Sequence, residues 1–173
     1  MFKHSSFFIL ICFALILQLA VVPALSSYLA AINLNLIFLV SLIFFVDTYK
    51  RFIYWPLLSA FFLDLYSFSF FGSNLVSFLL IYLLVDLFMR RFLTNRSLYS
   101  FLFLILLMNI VFFLLFIFFN YLNYFFTESV NIFINFNFLK FVWRQIAVDL
   151  FFSFSLFLTI NLIVRGFKPV FIK

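Results

Sequence analysis

Residues 97–119 read SLYSFLFLILLMNIVFFLLFIFF, an apolar run without a charged residue. An α-helix rises about 1.5 Å per residue, so roughly 20 such residues cross the 30 Å or so of hydrocarbon in a bilayer. The single amide inside the run, Asn109, is a residue type that bonds to neighbouring helices within membranes. The stretch therefore predicts a transmembrane α-helix and an all-α fold.

The same pattern extends over the whole chain. Hydrophobic residues make up 69% of its 173 residues and charged residues 9%, whereas a soluble domain carries about a quarter charged residues. Lipid is therefore the expected solvent, and little chain remains for a separate soluble domain. We predict one polytopic membrane domain, residues 1–173, with six spans at residues 5–25, 30–46, 52–71, 75–89, 97–119 and 138–164.

The first of these segments has an alternative interpretation as a cleaved signal peptide, because small and apolar residues surround Pro23. The apolar run from Phe7 to Val22 is, however, longer than the roughly 7–15 residues usual in a signal peptide. The longer run favours a retained membrane span.

The basic residues predict the orientation of the chain. With the N-terminus in the cytoplasm, nine of the eleven Lys and Arg residues fall on the cytoplasmic side, as the positive-inside rule requires. Six spans then place the C-terminus in the cytoplasm too, and no nucleic-acid partner is needed to explain the net charge of +6. The nine residues are Lys3, Lys50, Arg51, Arg90, Arg91, Arg96, Arg165, Lys168 and Lys173.

Charged residues within the predicted spans are the candidates for a site. A charge at mid-membrane costs about 2.5–3.5 kcal/mol on insertion scales, so each needs a physical reason. Counting residues along the helices places Asp64 and Asp149 near the same depth, with Arg144 closer to the outer face. We expect either a polar site or a latch between the third and sixth spans, with Arg144 bridging to one of the carboxylates.

Other charged residues have simpler interpretations. Asp86 precedes Arg90 by four residues, which predicts an ion pair on one helix face near the lipid headgroups. The chain has one Cys, one His and two Gly residues, so it offers no metal-ligand set and no phosphate-binding glycine loop. We expect no catalytic residue, no metal and no cofactor.

Residues 60–74 read AFFLDLYSFSFFGSN, and this stretch resembles the signature of the MreD family of rod-shape-determining membrane proteins. In that family an Asp in the third helix, here Asp64, is followed eight residues later by a Gly that opens the fourth helix, here Gly72, close to Asn74. The fourth helix then ends in an Arg-rich cytoplasmic turn, here residues 86–96. Length, span number and short loops are also similar, although Ala60 stands where the family usually has Gly.

This resemblance implies a non-enzymatic scaffold in the bacterial inner membrane. Such proteins bind MreC and help to couple the MreB cytoskeleton to RodA and its class B penicillin-binding protein partner. The implied fold is similar to that of the substrate-binding S-components of energy-coupling-factor transporters. Asp64 and Gly72 are implied to be structural or partner-facing residues.

Two other functions remain open from the sequence. An S-component of a vitamin transporter has the same size and fold, and would use a polar outer pocket closed by the connection 120–137. That connection is poor in the charged and Trp side chains that orient small polar ligands. A proton- or ion-coupled carrier would use Asp64 and Asp149, but the inverted repeats typical of such carriers are not evident.

Overall fold

The described part of the chain is entirely helical. The computed structural model describes residues 32–46, 53–66, 71–93, 96–127 and 136–165, and these ranges contain five α-helices and no strand. The all-α fold is confirmed for these residues, whereas the predicted span at 5–25 lies outside them. The helices are α1 Leu34–Phe45, α2 Tyr54–Tyr66, α3 Ser73–Arg91, α4 Leu98–Thr127 and α5 Phe136–Arg165.

Three of the helices are long and apolar enough to cross a membrane. The qualifying segments are Ser73–Arg91, Leu98–Leu122 and Phe138–Leu162, whereas Leu34–Phe45 and Tyr54–Leu65 are shorter apolar helices. The outward faces of the long helices carry large apolar side chains, such as Phe151 and Leu162, which are 73% and 70% exposed. Exposed apolar surface on this scale indicates a membrane protein.

The predicted connection at 120–137 is wrong in its extent. Helix α4 continues to Thr127, and α5 begins at Phe136. Residues 120–137 contain five Asn, a residue type typical of loops, but Asn120 donates from Nδ2 to the backbone carbonyl of Phe116 at 2.7 Å. Because the amide is satisfied within its own helix, it does not end the helix.

Helix α1 lies at the centre of the fold. Nine of its twelve residues are buried, and it contacts each of the other four helices. A helix that is apolar on all sides is typically one surrounded by protein. The long helices therefore surround α1 and turn their outer faces away from it.

Phenylalanine rings join α1 to α4 and α5 through a Phe cluster made of Phe44, Phe45, Phe101 and Phe157. The Phe44 ring centroid lies 5.1 Å from that of Phe101 and 6.5 Å from that of Phe157. The rings of Phe101 and Phe157 are 5.7 Å apart. Tilted aromatic pairs at such distances add to the stability gained by burial.

Candidate functional site

The carboxylate of Asp64 caps the helix that follows it. Asp64 is 2% exposed, and its Oδ1 and Oδ2 accept the backbone N–H groups of Asn74 and Leu75, each at 2.9 Å. These are N–H groups of the first turn of α3, which have no carbonyl partner within their own helix. The negative charge also lies at the positive end of the helix dipole. Through these two hydrogen bonds, Asp64 holds the N-terminus of α3 against α2.

Gly72 explains why this cap comes from another helix. It is the N-cap residue of α3 and supplies no side-chain hydrogen bond. Its φ of +88° lies in the left-handed region that Gly adopts far more easily than other residues. The chain therefore turns sharply at Gly72 and brings the first turn of α3 back to Asp64. We call Asp64, Gly72, Asn74 and Leu75 the α2–α3 joint.

Asp149 plays a comparable part at the centre of the fold. Its side chain on α5 is fully buried, and its Oδ1 accepts the backbone N–H of Asn33 at 2.9 Å. Asn33 is the N-cap of α1, where its own Oδ1 accepts the N–H of Leu36 at 3.2 Å. Asp149 therefore holds the N-terminus of α1 against α5, across 116 residues of sequence.

The two carboxylates make contacts that were not predicted: Asp64 joins the third predicted span to the fourth, and Asp149 joins the sixth to the second. The predicted latch between the third and sixth spans stays a prediction. The guanidinium carbon of Arg144 lies 5.5 Å from the ring centroid of Phe141. An Arg144 bridge to either carboxylate stays a prediction.

Further buried polar side chains lie between the helices. The hydroxyl oxygen of Ser59 lies 2.9 Å from Oδ1 of Asn35 and 2.7 Å from the carbonyl oxygen of Pro56. Asn109 and Gln145 are also buried, and both side chains reach the Asp149 carboxyl group. Asn33, just before an apolar run, carried a recognisable N-cap signal. Its partner Asp149 could not be inferred from any local pattern.

The predicted ion pair at the end of the fourth span is confirmed. Nη2 of Arg90 lies 2.9 Å from Oδ2 of Asp86, and Nε of Arg90 donates to Oδ1 at 2.9 Å. Arg90 and Arg91 occupy the last turn of α3, where positive charge is favoured by the helix dipole. Arg96 is exposed. Lys50 and Arg51 lie outside the described residues.

Metal ligation finds no support in the ranges that the structure covers. Among those residues, no group of three or more His, Cys, Asp and Glu side chains could hold a metal ion. The contacts given for the buried site are hydrogen bonds between helices. Its two carboxyl groups bind backbone N–H groups at the start of two different helices.

Comparisons with known proteins identified no relative of this chain. No protein-family model matches the chain, and neither a curated protein nor a solved structure is significantly similar to it. Any function is therefore inferred from the residues themselves and from the contacts they make.

Proposed function

We propose that this chain is a non-enzymatic, multi-pass scaffold of the bacterial inner membrane that acts in cell elongation and peptidoglycan synthesis. Its direct partner would be MreC, and through that contact it would help to couple MreB to RodA and a class B penicillin-binding protein. The observation that carries the proposal is the α2–α3 joint. Asp64 and Gly72, the positions that resemble the MreD signature, both belong to this joint: Asp64 caps α3, and Gly72 is its N-cap residue.

The joint gives this resemblance a physical basis. A carboxylate eight residues before a left-handed Gly can return to cap the next helix, and both residue types are needed for that geometry. Ala60, where the family usually has Gly, lies one turn before Asp64 and has no exposed surface. A small side chain at this buried position lets helices approach closely.

The contacts of the two buried carboxylates are also consistent with a scaffold function. Asp64 and Asp149 each hold the start of a neighbouring helix, so their contacts stabilise the fold. The surfaces left for partners are the outward apolar faces of α3, α4 and α5 and the basic end of α3 at Arg90 and Arg91. Packing of membrane helices through such faces needs no soluble domain.

The proposed arrangement has six spans and both termini in the cytoplasm. It predicts that Cys residues introduced at Lys50, Arg91 or Arg96 react with a membrane-impermeant thiol reagent only after the cells are opened. Tyr124, exposed near the end of α4, provides the control, because a Cys there should react in intact cells. A Cys12→Ser background removes the single native thiol. Labelling of the Arg91→Cys variant from outside would refute this orientation.

The proposed function is tested by recovering partners from the native membrane. The tagged chain would be cross-linked in cells, solubilised in mild detergent and purified, with an unrelated tagged membrane protein of similar expression as the control. Specific recovery of MreC, RodA or a penicillin-binding protein is the expected result. Recovery of an ATPase and a coupling subunit instead would overturn it in favour of the S-component alternative.

That alternative has less support from the fold. It requires an outer pocket that a long connection closes over a small ligand, and the predicted connection was 120–137. Because α4 extends to Thr127 and α5 begins at Phe136, only residues 128–135 remain between the two helices. A segment this short leaves less chain for closing a ligand pocket.

A further inference from the structure

The end of α3 and the start of α4 carry exposed arginine side chains. Arg90, Arg91 and Arg96 are all exposed. Residues 86–96 contain these three Arg residues and one acidic residue, Asp86, so their net charge is +2. Both carboxylate oxygens of Asp86 are bonded to Arg90. The net positive charge therefore belongs to Arg91 and Arg96.

These two arginines lie on the same side of the membrane. Helix α3 ends at Arg91 and α4 begins at Leu98, and the two helices are in contact. The connection 92–97 spans at most about 25 Å when it is fully extended. This is less than the roughly 30 Å of hydrocarbon that separates the two membrane faces. Arg91 and Arg96 therefore face one and the same leaflet.

Exposed tyrosines on α4 indicate the depth of this end in the bilayer. Tyr99 is 83% exposed and Tyr121 is 66% exposed. Along a helix the two residues are about 33 Å apart, close to the thickness of the hydrocarbon. Tyr is enriched at both membrane–water interfaces. Arg96, which precedes Tyr99 by three residues, is therefore at the level of the lipid headgroups.

Large apolar side chains are exposed beside the guanidinium groups. Phe92 follows Arg91 directly and is 67% exposed, and Tyr99 follows Arg96 closely. A guanidinium group can donate two parallel hydrogen bonds to a phosphate, whereas the two rings need an apolar partner. A phospholipid carries a phosphate and acyl chains in one molecule. We call Arg91, Phe92, Arg96 and Tyr99 the arginine corner.

We propose that the arginine corner binds an anionic phospholipid of the surrounding leaflet. Arg91 and Arg96 would hold the phosphate, and Phe92 and Tyr99 would pack against the upper part of the acyl chains. The charge of the corner complements an anionic headgroup and gives no such preference for a zwitterionic one. The proposal goes beyond the scaffold function and does not depend on it.

Native mass spectrometry of the full chain in mild detergent tests the proposal by titration with phosphatidylglycerol and, separately, with phosphatidylcholine. We expect tighter binding of phosphatidylglycerol. Arg91→Gln and Arg96→Gln should each weaken it roughly five-fold, the factor expected for one arginine at an anionic surface. Binding of phosphatidylcholine should not change. Equal affinity of the unaltered chain for the two lipids would overturn the proposal.

Two further variants are matched controls. Asp86→Asn combined with Arg90→Gln removes a whole ion pair from the same helix end without changing the net charge, so phosphatidylglycerol binding should persist. Lys140→Gln removes an exposed positive charge near the start of α5 and should have little effect. If Arg91→Gln combined with Arg96→Gln left phosphatidylglycerol binding intact but abolished the cross-linking of a protein, the corner would be a protein-binding surface and the proposal would be wrong.

Discussion

Replacing Asp64 with Ala is expected to lower the free energy of unfolding by roughly 2–4 kcal/mol, because two half-buried N–H donors lose their acceptor and a donor left unsatisfied costs about 1–3 kcal/mol. The two donors are the N–H groups of Asn74 and Leu75, and Gly72 offers no side chain to replace the lost cap. The loss would be measured by unfolding with SDS in mixed micelles, followed by Trp fluorescence.

Asp86 provides the matched control for this substitution. Its pair with Arg90 is at the helix surface, with the Arg side chain 56% exposed, and exposed pairs contribute only about 0.2–1 kcal/mol. Asp86→Ala should therefore leave the unfolding midpoint almost unchanged. If both Asp→Ala variants lost the same small amount, the α2–α3 joint would not be an important source of stability. A wild-type level of MreC recovery with Asp64→Ala would show that the joint is not needed for partner binding.

Replacing Phe44 with Ala is expected to cost about 3–5 kcal/mol, the range found for removing a large aromatic side chain from a packed core. Phe44 has no exposed surface, and its ring is in contact distance of the rings of Phe45, Phe101 and Phe157. The cavity would open at the point where α1 meets α4 and α5. SDS unfolding measures this loss as well, and the variant should unfold at a clearly lower SDS fraction.

Phe151 allows the same chemical change on the outside of the fold. It is 73% exposed, so Phe151→Ala removes a ring that faces lipid and opens no cavity inside the protein. The expected cost is small, about 1 kcal/mol or less. Equal losses at Phe44 and Phe151 would mean that the central packing around α1 does not determine the stability of this protein.

Several elements of the fold follow from the chain read by itself. Apolar runs predicted spans at residues 75–89 and 138–164, and long apolar helices are found there, at Ser73–Arg91 and Phe136–Arg165. The pairing of Asp86 with Arg90 also followed, because residues four apart meet on any helix. Asp64 and Gly72 were singled out together only through the resemblance to the MreD signature, and their shared role in capping α3 was not predicted.

The sequence by itself determined the apolar character of the protein, the helices of its described part and their short-range contacts, since these depend on residues within one segment. Only the tertiary structure decided that α1 lies at the centre, that Asp149 binds Asn33 across 116 residues, and that Asn120 continues a helix. These features depend on which helices become neighbours. Nearly every face of an apolar helix can pack against protein or lipid, so the pattern of apolar residues cannot select the neighbour. Packing of the side chains in three dimensions makes that selection.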